Sequence, residues 1–222
     1  MANILLGLTG SVAAIKAPDL FQGLRLLGHS VRVVATQHSR FFFDFLALDG
    51  TSKNSSASNT LIVDDDEWLF CQDRSYFTTW QKGDPILHIE LRKWADLLII
   101  APLDANTLAK LAFGMCDNCL TCVWRAWDLA KPRIIAPAMN TFMWNHPATL
   151  RHLITIASDS GLDVPDLKGS QLLTWLTDQK ALLQFASPEI RKLACGDDGI
   201  GAMASIESLL FLATRAIQNF HS

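Results

Sequence analysis

A doubly wound α/β domain, with helices on both faces of a parallel sheet, is the fold this sequence predicts, and three observations carry the prediction. Short runs of continuously apolar residues recur along the chain, as expected of strands covered on both faces. The first two runs flank a stretch with apolar residues at helical spacing, which makes a βαβ unit and therefore a parallel pair. A chain of 222 residues, 50% hydrophobic and without a linker-like interruption, suits one large domain spanning residues 1–222.

The elements follow in order. Asn3–Leu8 is the first strand, and residues 9–11 turn the chain into a helix over 12–27 that Gly28 stops. The β-branched run 31–35 is the second strand. Residues 49–59, DGTSKNSSASN, contain almost nothing apolar and read as a mobile surface loop. Residues 87–94 have helical spacing, 97–101 form a third strand, 106–127 hold one or two crossover helices, and Arg133–Pro137 form a fourth strand. Beyond Gly161 the rhythm weakens. Residues 171–185 read as an amphipathic helix broken at Ser187 and Pro188, residues 195–201 as a Gly-rich loop, and Ser205 as the cap of a last helix ending near Asn219.

Composition narrows the function. The charge balance, 19 − 22 = −3, comes with no basic run, so the chain lacks the electrostatic footprint of a nucleic-acid or anionic-membrane binder. No apolar run approaches the roughly 20 residues that cross a bilayer, and the N-terminus lacks a basic region and a cleavage site, so a cytoplasmic protein is expected. Five cysteines, an odd number, point to a reducing compartment.

Several constellations are candidates for chemistry. The turn Gly7-x-x-Gly10-Ser11 stands where a doubly wound sheet places a phosphate, against unpaired N–H groups at a helix N-terminus. Read alone, it is equally a tight strand-to-helix turn. It departs from the dinucleotide fingerprint, and the second strand ends without the Asp or Glu that would hold an adenosine ribose, which disfavours NAD. Asp104, Asn106 and Thr107 follow the third strand and so share the sheet's carboxyl edge with that turn, although capping of the next helix accounts for one of them. Cys116, Cys119 and Cys122 resemble the opening of a cluster-binding run, but the Cys-Pro that should continue it is missing. Buried structural thiols on a helical stripe with Leu111 and Met115 are expected instead, with no metal. Taken on their own, His88 and Asn140 read as ordinary helix and loop residues, whereas Cys195, among glycines, suits a reactive group or a closing lid.

Six segments, in order, resemble one family: LTGSVAA (8–14), HIELRKWAD (88–96), APLDANTL (101–108), CDNxLTC (116–122), PAMNTFMW (137–144) and KLACGDxGxGA (192–202). The chain is similar along nearly its whole length to the homo-oligomeric flavin-containing cysteine decarboxylases. The resemblance implies a flavodoxin-like or Rossmann-like three-layer flavoprotein that binds FMN and forms a homotrimer with active sites shared between neighbouring subunits. It also implies 4′-phosphopantothenoylcysteine as substrate and the decarboxylation step of coenzyme A biosynthesis as function, through a thioaldehyde and an enethiol with no net redox change. By that resemblance Gly10, Ser11, Val12, Thr36, Phe41, Asp104, Ala105, Asn106, Thr107 and Ala138 hold FMN. His88, Asn140 and Cys195 are catalytic, and Asn140, Met143 and Lys93 bind substrate.

Two departures from the family pattern stand out, an insertion at 166–188 and the long 49–59 loop. Two other readings compete. Some members of the family regulate a protein phosphatase without catalysis, and others decarboxylate peptidyl cysteines. The presence of His88, Asn140 and Cys195 in one chain favours a self-sufficient enzyme over the regulator.

Overall fold

The structure, a computed structural model, describes residues 1–44, 61–63, 82–167, 169–179, 182–192 and 198–220. Six strands form a parallel sheet: β1 (Asn3–Leu8), β2 (Ser30–Ala35), β3 (Leu61–Val63), β4 (Leu97–Leu103), β5 (Arg133–Pro137) and β6 (Leu183–Phe185). Their order is β3-β2-β1-β4-β5-β6, the Rossmann order of the two that the resemblance implied. The order reverses between β1 and β4, so the loops leaving these two strands diverge and leave a crevice at their carboxyl ends.

Alternation along the strands divides the core into two clusters. Ile4, Leu6, Leu97 and Ile99 face α1 (Ala17–Leu26) and α8 (Ile206–Phe220), which contribute Leu20, Phe21, Leu24, Leu209 and Ala213. Leu5, Leu98 and Ile100 face the opposite helical layer, made of α2 (Leu87–Trp94), α3 (Ala105–Phe113), α4 (Cys119–Ala126), α6 (Pro147–Asp159) and α7 (Gly169–Thr177). Because β4 and β5 are buried at every residue, burial of apolar surface at about 25 cal/mol per Å² anchors the sheet centre. The short helix α5 (Thr141–Asn145) stands at the carboxyl end of β5. An antiparallel hairpin, β7 (Glu189–Lys192) with β8 (Asp198–Ala202), lies outside the main sheet.

Four expectations change. The helix over 12–27 is a 3-10 turn at Val12–Lys16 followed by α1, because Pro18 has no N–H to continue an α-helix from the preceding turn. The helix over 171–185 ends at Thr177, and Leu183–Phe185 instead pairs with the open edge of β5, where all three residues become buried. Part of the 195–201 loop is strand β8. The cysteine stripe is broken, since Gly114 at φ 69° ends α3 in the left-handed conformation. Cys119 is therefore buried in α4 while Cys116 is exposed in the connection. Ser205 does cap α8, its Oγ accepting from the Ser208 amide at 3.1 Å. The 49–59 loop, Cys71 and Cys195 lie outside the described residues. No helix among the described residues is long and apolar enough to cross a membrane.

Candidate active site

The crevice is built by short polar ties between the first loop and the β4 loop. Thr9, fully buried at the end of β1, donates its hydroxyl to the Pro102 carbonyl at 2.9 Å and accepts from the Asp104 amide at 2.7 Å. Asp104 is the N-cap of α3, its Oδ1 accepting from the Thr107 amide at 2.7 Å. Capping therefore accounts for Asp104 and for the tie to Thr107, and leaves Asn106 exposed toward the crevice. Ser11 caps the 3-10 turn in the same way, accepting from the Ala13 amide at 3.3 Å. Gly10 passes between these walls: a Cβ there would stand 2.9 Å from the His38 Cβ, too close without a shift, and a tight 3.1 Å from Asp104 Oδ2.

A cavity of about 560 Å³ opens between these loops and a third wall, the turn after β5. Gly10, Ser11 and Val12 line it from the first loop, Asp104, Ala105 and Asn106 from the second, and Ala138, Asn140 and Met143 from the third. Asn140 caps α5, accepting from the Met143 amide at 2.9 Å through Oδ1, so the amide's N–H groups are the end that remains for a ligand. The hairpin supplies a fourth wall: the Met139 amide donates to the Gly201 carbonyl at 3.0 Å, and Arg191, Gly201, Ala202 and Met203 line the cavity.

The sequence reading missed Ile15, Lys16, Met139 and these four hairpin residues. Lys16 and Ile15 follow the Ser11 turn closely and were within reach of a reading that placed the ligand at that turn. The hairpin residues were not, because only the fold of β7 on β8 brings them over the Asn140 turn. Arg191 pairs with Glu189, Nε to Oε2 at 2.5 Å. The Glu207 carboxyl is held below the usual carboxylate range, first by a backbone hydrogen bond and the Ser205 hydroxyl, then by the charges of Arg191 and Lys16.

Other expected residues stand elsewhere. Thr36 and Thr107 are buried beside the loops and do not line the cavity. Phe41 is 87% exposed, edge-on to Phe42, at the end of the 3-10 turn Gln37–Phe41. His88, half-buried in the first turn of α2, and Lys93, whose Nζ is 3.0 Å from Glu90 Oε1, lie outside the cavity of their own chain.

The lining suits a flavin mononucleotide. The Ser11 hydroxyl and the Lys16 cation are donors for an anionic phosphate, and Val12, Ile15, Met139 and Met143 offer apolar surface for a flat ring. The volume falls in the ordinary range of cofactor sites, roughly 300–1,000 Å³.

Comparison with known proteins agrees. The family described as Flavoprotein matches residues 1–218. Over 218 residues the chain is 46% identical to phosphopantothenoylcysteine decarboxylase of Oryza sativa subsp. japonica, covering 96% of this chain and 81% of that one. It is 40% identical over 209 residues to the Mus musculus protein of the same name, with 94% and 83% covered. Among solved structures, a cysteine-to-serine variant of PPC decarboxylase complexed with pantothenoylaminoethenethiol superimposes with a TM-score of 0.74 at 40% identity, covering 98% of each chain. The FMN-binding protein AtHal3 gives 0.71 at 40% identity, with 98% and 97% covered. With a fold and a sequence that match along almost the whole chain, the protein belongs to the flavoprotein family, in its phosphopantothenoylcysteine decarboxylase branch.

Proposed function

We propose that this protein is an FMN-dependent carboxy-lyase that converts 4′-phosphopantothenoylcysteine to 4′-phosphopantetheine and CO2, the decarboxylation step of coenzyme A biosynthesis. The observation that carries the reading is the convergence of the Gly10–Val12, Asp104–Asn106 and Ala138–Met143 segments, three loops distant in sequence, on one cavity at the sheet's switch point. Loss of CO2 from an N-acyl cysteine leaves an unstabilised carbanion, and bound FMN supplies the electron sink that avoids it.

The chain's own groups then orient substrate and move protons. The Asn140 N–H groups hold the substrate carboxylate, an assignment supported by the cap that engages its oxygen. Met143 packs against the substrate beside it. His88 acts near the thiol as base or orienter, a role suited to imidazole because one ring nitrogen can accept a proton while the other donates a hydrogen bond. Bound FMN would return to the enethiol the electron pair taken from the substrate thiol, and Cys195 would give its proton to the enethiol carbon and be reprotonated from solvent. Because His88 and Lys93 stand outside their own chain's cavity, this reading gives them to the cavity of a neighbouring subunit in a homotrimer. Exposed Phe41, Phe142 and Ile190 offer apolar surface for such contacts. A cytoplasmic setting accords with the exposed, free thiol of Cys116.

The test has two parts. Purified protein should absorb as an oxidised flavin and release FMN on denaturation, and a colourless protein that takes up no added FMN refutes the cofactor. Incubation with 4′-phosphopantothenoylcysteine should yield 4′-phosphopantetheine, and flavin-loaded protein that forms none refutes the enzyme.

A further inference from the structure

We infer that Arg191 holds the 4′-phosphate of the substrate and so makes the site selective for the phosphorylated form. The inference rests on the reaction proposed above and deepens it. Cofactor and substrate together bring three anionic groups: the FMN phosphate, the cysteinyl carboxylate and the 4′-phosphate. Ser11 and Lys16, which flank the first 3-10 turn, serve the cofactor phosphate, and the Asn140 amide serves the carboxylate. Among the described residues, the charged side chains lining the cavity are Lys16, Asp104 and Arg191. Arg191 is the cation of that wall to which no ligand group has been given.

The hairpin aims this side chain. Arg191 stands opposite Gly199 and Ile190 opposite Ile200, and residues directly opposite in an antiparallel pair share a face. One face therefore carries the two isoleucines, Ile190 exposed and Ile200 entering a separate apolar cavity of about 210 Å³. The other carries Arg191 and lies on the Asn140 turn, where a Cβ at Gly199 would overlap Thr141 Oγ1. Because its neighbour across the strand is a glycine, no side chain competes for the space the guanidinium crosses.

The guanidinium is also oriented. Its Nε donates to Glu189 Oε2 at 2.5 Å, and Glu189 Oε1 accepts from the Ser205 amide at 2.9 Å, at the start of α8. A carboxylate fixed by a second element thus engages the Nε edge. The Arg191 side chain has no further hydrogen-bond or salt-bridge partner among the described residues, which leaves the Nη donors for a ligand. A planar fork held by one edge offers parallel N–H groups to two phosphate oxygens, a geometry that lysine does not reproduce. With 52% of the side chain exposed, solvent screens the contact, so its loss should cost about tenfold in affinity and not several orders of magnitude.

The experiment measures kcat and KM of the flavin-loaded parent and of Arg191→Gln, Arg191→Lys, Lys16→Gln and Lys93→Gln. Each is given 4′-phosphopantothenoylcysteine and pantothenoylcysteine, which lacks only the phosphate. In Arg191→Gln, KM for the phosphorylated substrate should rise about tenfold with kcat within about twofold, the mark of lost ground-state binding. For pantothenoylcysteine kcat/KM should change by less than about twofold, and FMN should be retained. Arg191→Lys keeps the charge without the fork and should lose about threefold. Lys16→Gln should release FMN more readily, and once saturated with FMN it should still prefer the phosphorylated substrate. The proposal is overturned if Arg191→Gln raises KM equally for both substrates, or if it sheds FMN, which would give Arg191 to the cofactor phosphate. It is also overturned if the preference survives in Arg191→Gln and disappears in Lys16→Gln or Lys93→Gln. Flavin-loaded parent that turns over neither substrate refutes the reaction by itself. The phosphate seat is then judged by calorimetry with 4′-phosphopantothenate and pantothenate, and equal affinity of parent and Arg191→Gln for the phosphorylated ligand overturns it.

Discussion

Thr9→Val tests whether the crevice depends on a single buried hydroxyl. Thr9 has no exposed surface and valine has nearly its shape, so the substitution opens no cavity and removes only hydrogen bonds. Two are lost, the donation to the Pro102 carbonyl at 2.9 Å and the acceptance from the Asp104 amide at 2.7 Å. Their costs differ. The Pro102 carbonyl keeps the Thr9 amide at 3.3 Å, whereas the Asp104 amide loses the acceptor that holds it. An unsatisfied buried amide costs about 1–3 kcal/mol, so the folded state should lose about 2 kcal/mol. At about 2–4 °C per kcal/mol for a chain of this size, Tm of the flavin-free protein should drop by roughly 6 °C. Thr9→Ser keeps the hydroxyl and deletes one buried methyl, a loss of about 1 kcal/mol, so the stability order should be Thr, Ser, Val. Urea unfolding at fixed ionic strength measures the differences, and equilibrium dialysis of FMN measures the consequence for the site. A valine variant as stable as the parent, or more stable than the serine variant, refutes the argument that the Thr9 hydroxyl joins the two loops.

Three further outcomes follow from the same structure. Gly10→Ala should weaken FMN retention at least about tenfold with little change in secondary structure, because its methyl meets His38 and Asp104 at 2.9 and 3.1 Å, and undiminished retention on dialysis contradicts the close approach. His29, whose Nδ1 accepts from the Ala2 amide at 3.3 Å, has its pKa lowered from 6.5, chiefly by burial and then by the N-terminal ammonium. Its stabilisation is full above pH 6.5, where both states are neutral, and is lost as pH falls through the folded value; His29→Asn should flatten the decline of Tm between pH 7 and 5, and an unchanged slope disproves the assignment. His88→Asn and Cys195→Ser should each be inactive alone. If sites are shared between neighbours, randomly mixed and reassembled subunits should regain about a quarter of parental activity, one half for each intact partner, and no recovery after demonstrated exchange argues for self-contained sites.

Much of the architecture was legible because β1, β2, β4 and β5 are short apolar runs with turn residues between them, and parallel strands covered on both faces carry that signature. The loops at their carboxyl ends could be named from the same pattern, since a doubly wound sheet puts Gly10, Ser11 and the Asp104 turn on one edge. β6 could not. Leu183–Phe185 continues an amphipathic pattern that a helix would also satisfy, and only the vacant edge of β5 turns it into a strand. The hairpin failed for a related reason, as Gly199 and Gly201 read as loop glycines until β8 is laid against residues 139–141.

Local chemistry in the chain was enough to determine part of its punctuation: the turn at residues 9–11, the stop at Gly28, a cap in the Asp104–Asn106 turn, the cap at Ser205, and the residue types that polar and apolar ligand groups require. These depend on interactions within a few residues, which sequence spacing encodes directly. Which segments meet is a different matter. That Arg191 and Met203 join Lys16 and Asn106 around one cavity, and that His88 does not, follows from strand order and hairpin placement. Those contacts span most of the chain's length, and burial of two apolar faces at once selects them, a cooperative choice with no local trace in the residues it brings together.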